Sequence, residues 1–133
     1  MSLKDIGTFK EAIDVELMHP ITGEPLLNAD KSQMTITVHG PYSKLYKKTM
    51  HDQQNRRLMK AQRTGGKLNL TAEEIEASSL DLLVKCTTDW NVTLEGDDKT
   101  KYSHEAVRET YLELPWVREQ VETVLADTRA FLA

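Results

Sequence analysis

Between residues 11 and 39 the chain alternates apolar and polar positions with the period of a half-buried strand. Ile13, Val15 and Leu17 alternate with acids, and Met34, Ile36 and Val38 alternate with Thr and His. Two strands are predicted, joined through the turn residues of His19-Pro20-Ile21-Thr22-Gly23-Glu24-Pro25 and Asn28-Ala29-Asp30-Lys31, with room for a short third strand at Leu26 and Leu27. Gly40-Pro41 ends this β-meander, because proline brings no ladder donor.

From Tyr42 to Thr64 the period changes to that of a helix. Leu45, Tyr46, Met50, Leu58, Met59 and Ala61 form an incomplete apolar stripe, interrupted by the polar run His51 to Arg57. A continuous helix here is ~34 Å long at about 1.5 Å per residue, so part of it is expected to project from the fold. Gly65 and Gly66 stop it. Thr71 then reads as an N-cap, with Glu74 completing a capping box and Leu70 and Ile75 a hydrophobic staple. The helix it opens is predicted from Ala72 to about Thr88, with Ile75, Ser79, Leu82, Leu83, Cys86 and Trp90 as its core stripe. Asn91 to Lys101 reads as a polar loop or short hairpin. Ser103 caps a helix that turns Val107, Tyr111 and Leu114 inward. A last helix opens at Pro115 and is predicted to run to the end through Val117, Val121, Val124, Leu125, Phe131 and Leu132.

The expected fold class is α+β in a single domain spanning 1–133: an antiparallel β-meander of two or three strands over 11–39, a long basic helix over 42–64, and a cluster of three helices over 71–132. The single cysteine, Cys86, excludes an intramolecular disulfide framework and a cysteine-based zinc cluster. On its helix's stripe it reads as a small core hydrophobe. His19, His39, His51 and His104 stand in four different segments without metal-ligand spacing, and no phosphate loop or nucleophile elbow is present. No catalytic, cofactor-binding or metal site is expected, and so no enzyme. With no long apolar run, neither a membrane span nor a signal peptide is expected.

Charge changes this picture at one place. Tyr42 to Lys67 carries eight basic side chains against the single acid Asp52, a local charge of +7. The rest of the chain is left at −11 within a total of −4. Lys44, Lys48, Arg56, Arg57, Lys60 and Arg63 are therefore candidate partner-binding residues, with Trp116 as a candidate interface anchor. Tyr42 and Tyr46 among these cations also suit a nucleic-acid contact, but the acidity elsewhere favours a solvated or protein-binding helix.

The C-terminal half has a recognisable order of short motifs: Asp89-Trp90-Asn91, a loop at Gly96, Tyr102-Ser103-His104-Glu105-Ala106, Leu114-Pro115-Trp116-Val117, Gln120-Val121 and Phe131-Leu132. This order resembles the tail assembly chaperones of long-tailed bacteriophages. With Gly40-Pro41-Tyr42-Ser43 and the basic helix after it, the likeness spans most of residues 12 to 132. The resemblance implies a non-enzymatic protein of the host cytoplasm that self-associates, coats the tape measure protein, recruits tail tube subunits and is not retained in the virion. A nucleic-acid-binding regulator using residues 42–67, and a structural tail or connector subunit, are the alternatives.

Overall fold

The computed structural model describes residues 1–63, 65 and 71–132; Thr64, Gly66, Lys67 and Leu70 of the expectations above lie outside these. The chain is α+β. Strand β1 (Ala12–Glu16) pairs antiparallel with β2 (Thr35–His39), Val15 opposite Ile36 and Ile13 opposite Val38. Val15, Ile36 and Val38 point to the core, while Asp14, Glu16, Thr35 and Thr37 lie on the other face, as the alternation requires. Leu26 and Leu27 do not form a strand of their own. Isolated bridges join Met18 to Pro25 and Leu27 to Gln33, and between them the Leu26 N–H donates to the Leu17 carbonyl (3.0 Å) and the Met34 N–H to the Leu26 carbonyl (2.8 Å).

The third strand comes from elsewhere. β3 (Thr87–Asn91) lies on the far side of β2, giving the order β1-β2-β3, with a bulge where Val38 faces Thr87 and Thr37 faces Asp89. The helix predicted through Thr88 therefore stops at Cys86, and Trp90 belongs to a strand. Its indole is buried in the core and donates Nε1–H to the Thr100 carbonyl (2.9 Å). Two β-branched threonines followed by an aromatic favour extended backbone, and packing against β2 decides the case. The face of helix α3 (Ala72–Cys86) is also turned from the one expected: Leu80, Leu83, Val84 and Cys86 are buried, Leu82 is half-buried, and Ile75 is exposed.

Thr87 joins these elements. Its hydroxyl donates to the Leu83 carbonyl (2.8 Å), so Tyr111 of helix α4 (His104–Glu113) must supply the proton in its 2.8 Å bond to the same oxygen. The Tyr102 hydroxyl donates to the Thr87 carbonyl (2.7 Å). Three helices start where the sequence places them, although the Glu74 carboxylate reaches Lys60. Thr71 Oγ1 accepts from the Glu74 N–H (3.1 Å), Ser103 Oγ from the Ala106 N–H (3.0 Å), and Pro115 opens helix α5 (Pro115–Ala126). The long helix α2 runs from Lys44 to Arg63, and a four-residue helix α1 (Leu3–Ile6) precedes the sheet.

The last helix does not continue to the end. It stops at Ala126, Asp127 caps a 3-10 turn (Thr128–Phe131), and this turn folds back on the start of the chain. The Lys10 N–H donates to the Phe131 carbonyl (2.6 Å), and the Phe131 ring is fully buried. A Cβ at Gly40 would stand 2.4 Å from that ring, so glycine is needed here for close approach, beyond its part in ending the meander.

Two outcomes follow. Gly40→Ala should destabilise the protein by about 1–3 kcal/mol through overpacking, read as a lower denaturant midpoint. Burial pushes the Tyr111 hydroxyl up to about 12, against the lowering effect of its Thr87 hydrogen bond. A tyrosine raised above its unfolded value of ~10 contributes stability that is whole below that pH and lost as pH rises through the folded value. Tyr111→Phe should therefore cost about 0.5–1.5 kcal/mol at neutral pH and flatten the fall in stability over the alkaline range, as followed by circular dichroism.

Candidate functional site

Helix α2 is amphipathic in an unusual sense. Its buried positions are Thr49, Gln53 and Ala61, while Leu58 and Met59 are more than half exposed. The polar run that interrupts the apolar stripe does have a face to bury: Gln53 is inserted against α3, donating from Nε2 to the Ser78 carbonyl (2.9 Å) and, at 3.5 Å, to Asp81 Oδ2. Beyond Tyr46 at its start, α2 is thus docked through polar contacts.

Asp81 is the centre of that docking. Its carboxylate meets Arg108 of α4 at 2.9 Å, Lys85 of α3 at 3.2 Å and Arg56 of α2 at 3.8 Å. Partial burial raises its affinity for a proton. Hydrogen bonds from Lys85 and Arg108, the Lys85 charge and Gln53 outweigh this and hold the carboxyl below the usual range. Neither Asp81 nor Gln53 stood out in the sequence. Asp81 followed by Lys85 one helical turn later was the available signal.

Between α2 and α3 lies an open groove of about 290 Å³, lined by Gln53, Arg56, Arg57, Lys60, Ser78 and Asp81. Lys60 reaches Glu74 at 3.5 Å across it. The fold therefore gathers three of the predicted basic residues, Arg56, Arg57 and Lys60. The groove itself is lined by these three cations against one carboxylate, Asp81, with Glu74 paired to Lys60 at its edge. That surplus makes the groove receptive to negatively charged groups.

The other candidates are placed elsewhere. Lys44, Lys48 and Arg63 are exposed on α2 but do not line the groove. Trp116 is half-buried beside Trp90, Leu114 and Val117 in an apolar cleft of about 250 Å³ to which neither α2 nor α3 contributes. Of the tyrosines suited to stack on bases, Tyr42 is stacked on Phe9 with ring centroids 4.4 Å apart, and Tyr46 packs partly buried against the core. Cys86 is buried, and burial pushes its thiol up to about 11. Among the described residues, no three His, Cys, Asp or Glu side chains gather as metal ligands, and no helix is long and apolar enough to cross a membrane.

Asp81→Asn should loosen α2 from α3 and α4 at a cost of about 1–3 kcal/mol at neutral pH. A carboxyl lowered on folding contributes stability that is present above its unfolded pKa of ~3.9 and lost as pH falls below it. The variant should therefore lose less stability than the parent on acidification, as measured by urea titrations between pH 7 and 3. In comparisons with known proteins, no protein-family model, no curated protein and no solved structure matches this chain.

Proposed function

We propose that this chain is a binding protein of the tail assembly chaperone kind, which engages an acid-bearing, largely helical tape measure protein and brings tail tube subunits to it. The order of motifs from Asp89 to Leu132 supports the family reading. The observation that carries the binding mode is the groove of Arg56, Arg57 and Lys60, where cations outnumber carboxylates. Carboxylates on one face of a client helix, three or four residues apart, would meet this row. Self-association into a sheath around the client is part of the same proposal.

The test is co-expression with a tape measure protein of a long-tailed phage, followed by pull-down. Arg57→Glu with Lys60→Glu, both in the groove, should leave the circular dichroism spectrum unchanged and weaken capture about tenfold or more, as should raised salt. Capture that survives the double reversal while affinity for duplex DNA disappears would replace this reading with the nucleic-acid one. Recovery of the chain from purified particles would favour a structural subunit.

A further inference from the structure

The edge of β1 has a property that the α2–α3 groove does not share. In an antiparallel pair, successive residues turn their N–H and C=O groups alternately toward the partner strand and away from it. The Leu17 N–H donates to the Met34 carbonyl and the Gly40 N–H to the Glu11 carbonyl, which sets the phase. Residues 11, 13, 15 and 17 therefore face β2, and Lys10, Ala12, Asp14, Glu16 and Met18 face outward.

Both ends of that outward row are closed. At one end the Lys10 N–H is taken by the Phe131 carbonyl (2.6 Å). At the other, the side-chain amide of Gln120 behaves like a strand residue: its Oε1 accepts from the Met18 N–H (2.9 Å) and its Nε2 donates to the Met18 carbonyl (2.7 Å). Between these stops, Ala12, Asp14 and Glu16 present their backbone groups to an open groove of about 660 Å³. One side of the groove is apolar, made by Ile13, Met18, Val124 and Ala130; the other carries Asp14 and Glu16, with the single cation Lys10 at the end closed by Phe131.

We propose that this edge takes an added strand from a partner protein, about five residues long, in which basic side chains alternate with apolar ones. An added strand's side chains alternate between the two faces of the sheet. Those on the inner face meet Val124 and Ala130, and those on the outer face meet Asp14 and Glu16. The charges on the outer face of the three strands are Asp14, Glu16 and Asp89, all acidic, with Thr37 Oγ1 donating to Asp14 Oδ1 (2.5 Å). A second copy is a poor occupant. Antiparallel pairing of β1 with itself about Asp14 sets Asp14 against Asp14, and pairing with another copy's β3 adds Asp89 to the same face; like charges so placed repel. The carboxylates that discourage self-pairing select a basic strand. This surface does not depend on the tail-assembly reading.

The probe is a fluorescent peptide of sequence Lys-Val-Lys-Val-Lys, acetylated and amidated, titrated with the full chain. Saturable binding is expected. It should weaken at least tenfold when Glu replaces Lys in the peptide, when the peptide amides facing the protein are N-methylated, and in Asp14→Asn with Glu16→Gln. Asp14→Pro deletes an outward donor without touching the β1–β2 ladder and should also abolish binding, with circular dichroism as the fold control. Should that variant not fold, the N-methylated peptide tests the same point on the parent protein. Binding indifferent to N-methylation, no saturation at millimolar peptide, or a dimer in sedimentation that Asp14→Pro dissolves would each overturn the proposal.

Discussion

Everything in this fold turns on the place where a helix becomes a strand without a connecting loop. Thr87 is fully buried and has work for both of its oxygens. Its hydroxyl closes the last turn of α3 on Leu83 and receives Tyr111, and its carbonyl receives Tyr102. Without this joint α3 would run on, β2 would lose its second neighbour, and Trp90 would not reach the core. A buried hydroxyl with both partners present stabilises modestly, but an orphaned one costs its full desolvation. The site favours one arrangement mainly by penalising the others.

That joint is also where the sequence misleads. Ser79, Leu82, Leu83, Cys86 and Trp90 satisfy helical spacing, and periodicity cannot distinguish a continuing helix from a helix followed by a short buried strand. The pairing of Thr87, Asp89 and Trp90 with β2 is about fifty residues distant in the chain and invisible to a local window. The caps Thr71 and Ser103 and the Pro115 start are legible because they depend on neighbours three residues away at most. The same logic governs the candidate site. The basic run on α2 is written plainly, but which of its members converge is set by Asp81, Gln53 and Arg108, contributed by three different helices. Phe131 extended the α5 stripe on paper and instead turns back to fill the space left by Gly40.

Polar docking gives α2 a different character from the other long helices. α3, α4 and α5 are seated by Leu83, Val84, Val107, Tyr111, Val117 and Val121, whose burial is non-directional and insensitive to salt. Beyond Tyr46, which packs against the core at its start, α2 rests on Gln53, on ion pairs with Asp81 and Glu74, and on the small side chains of Thr49 and Ala61. Contacts of this kind are individually weak and respond to ionic strength. A helix held this way can shift against its support at small cost, which suits an element that must accommodate another surface.

The two stops on the β1 edge differ from the rest of the sheet in when they can form. Met18 and Gln120 are 102 residues apart in the chain, and the Lys10 contact to Phe131 spans still more. Loops of that length close late in folding, after the local helices and the hairpin of β1 and β2 exist. During that interval the outward row is longer than in the finished protein, and an unfinished sheet edge is the usual origin of misassembly. Asp14 and Glu16 need no tertiary partner to carry their charge. They guard the strand from the moment it pairs with β2, so its protection comes in two stages: electrostatic repulsion first, and a structural stop at each end once the chain has closed.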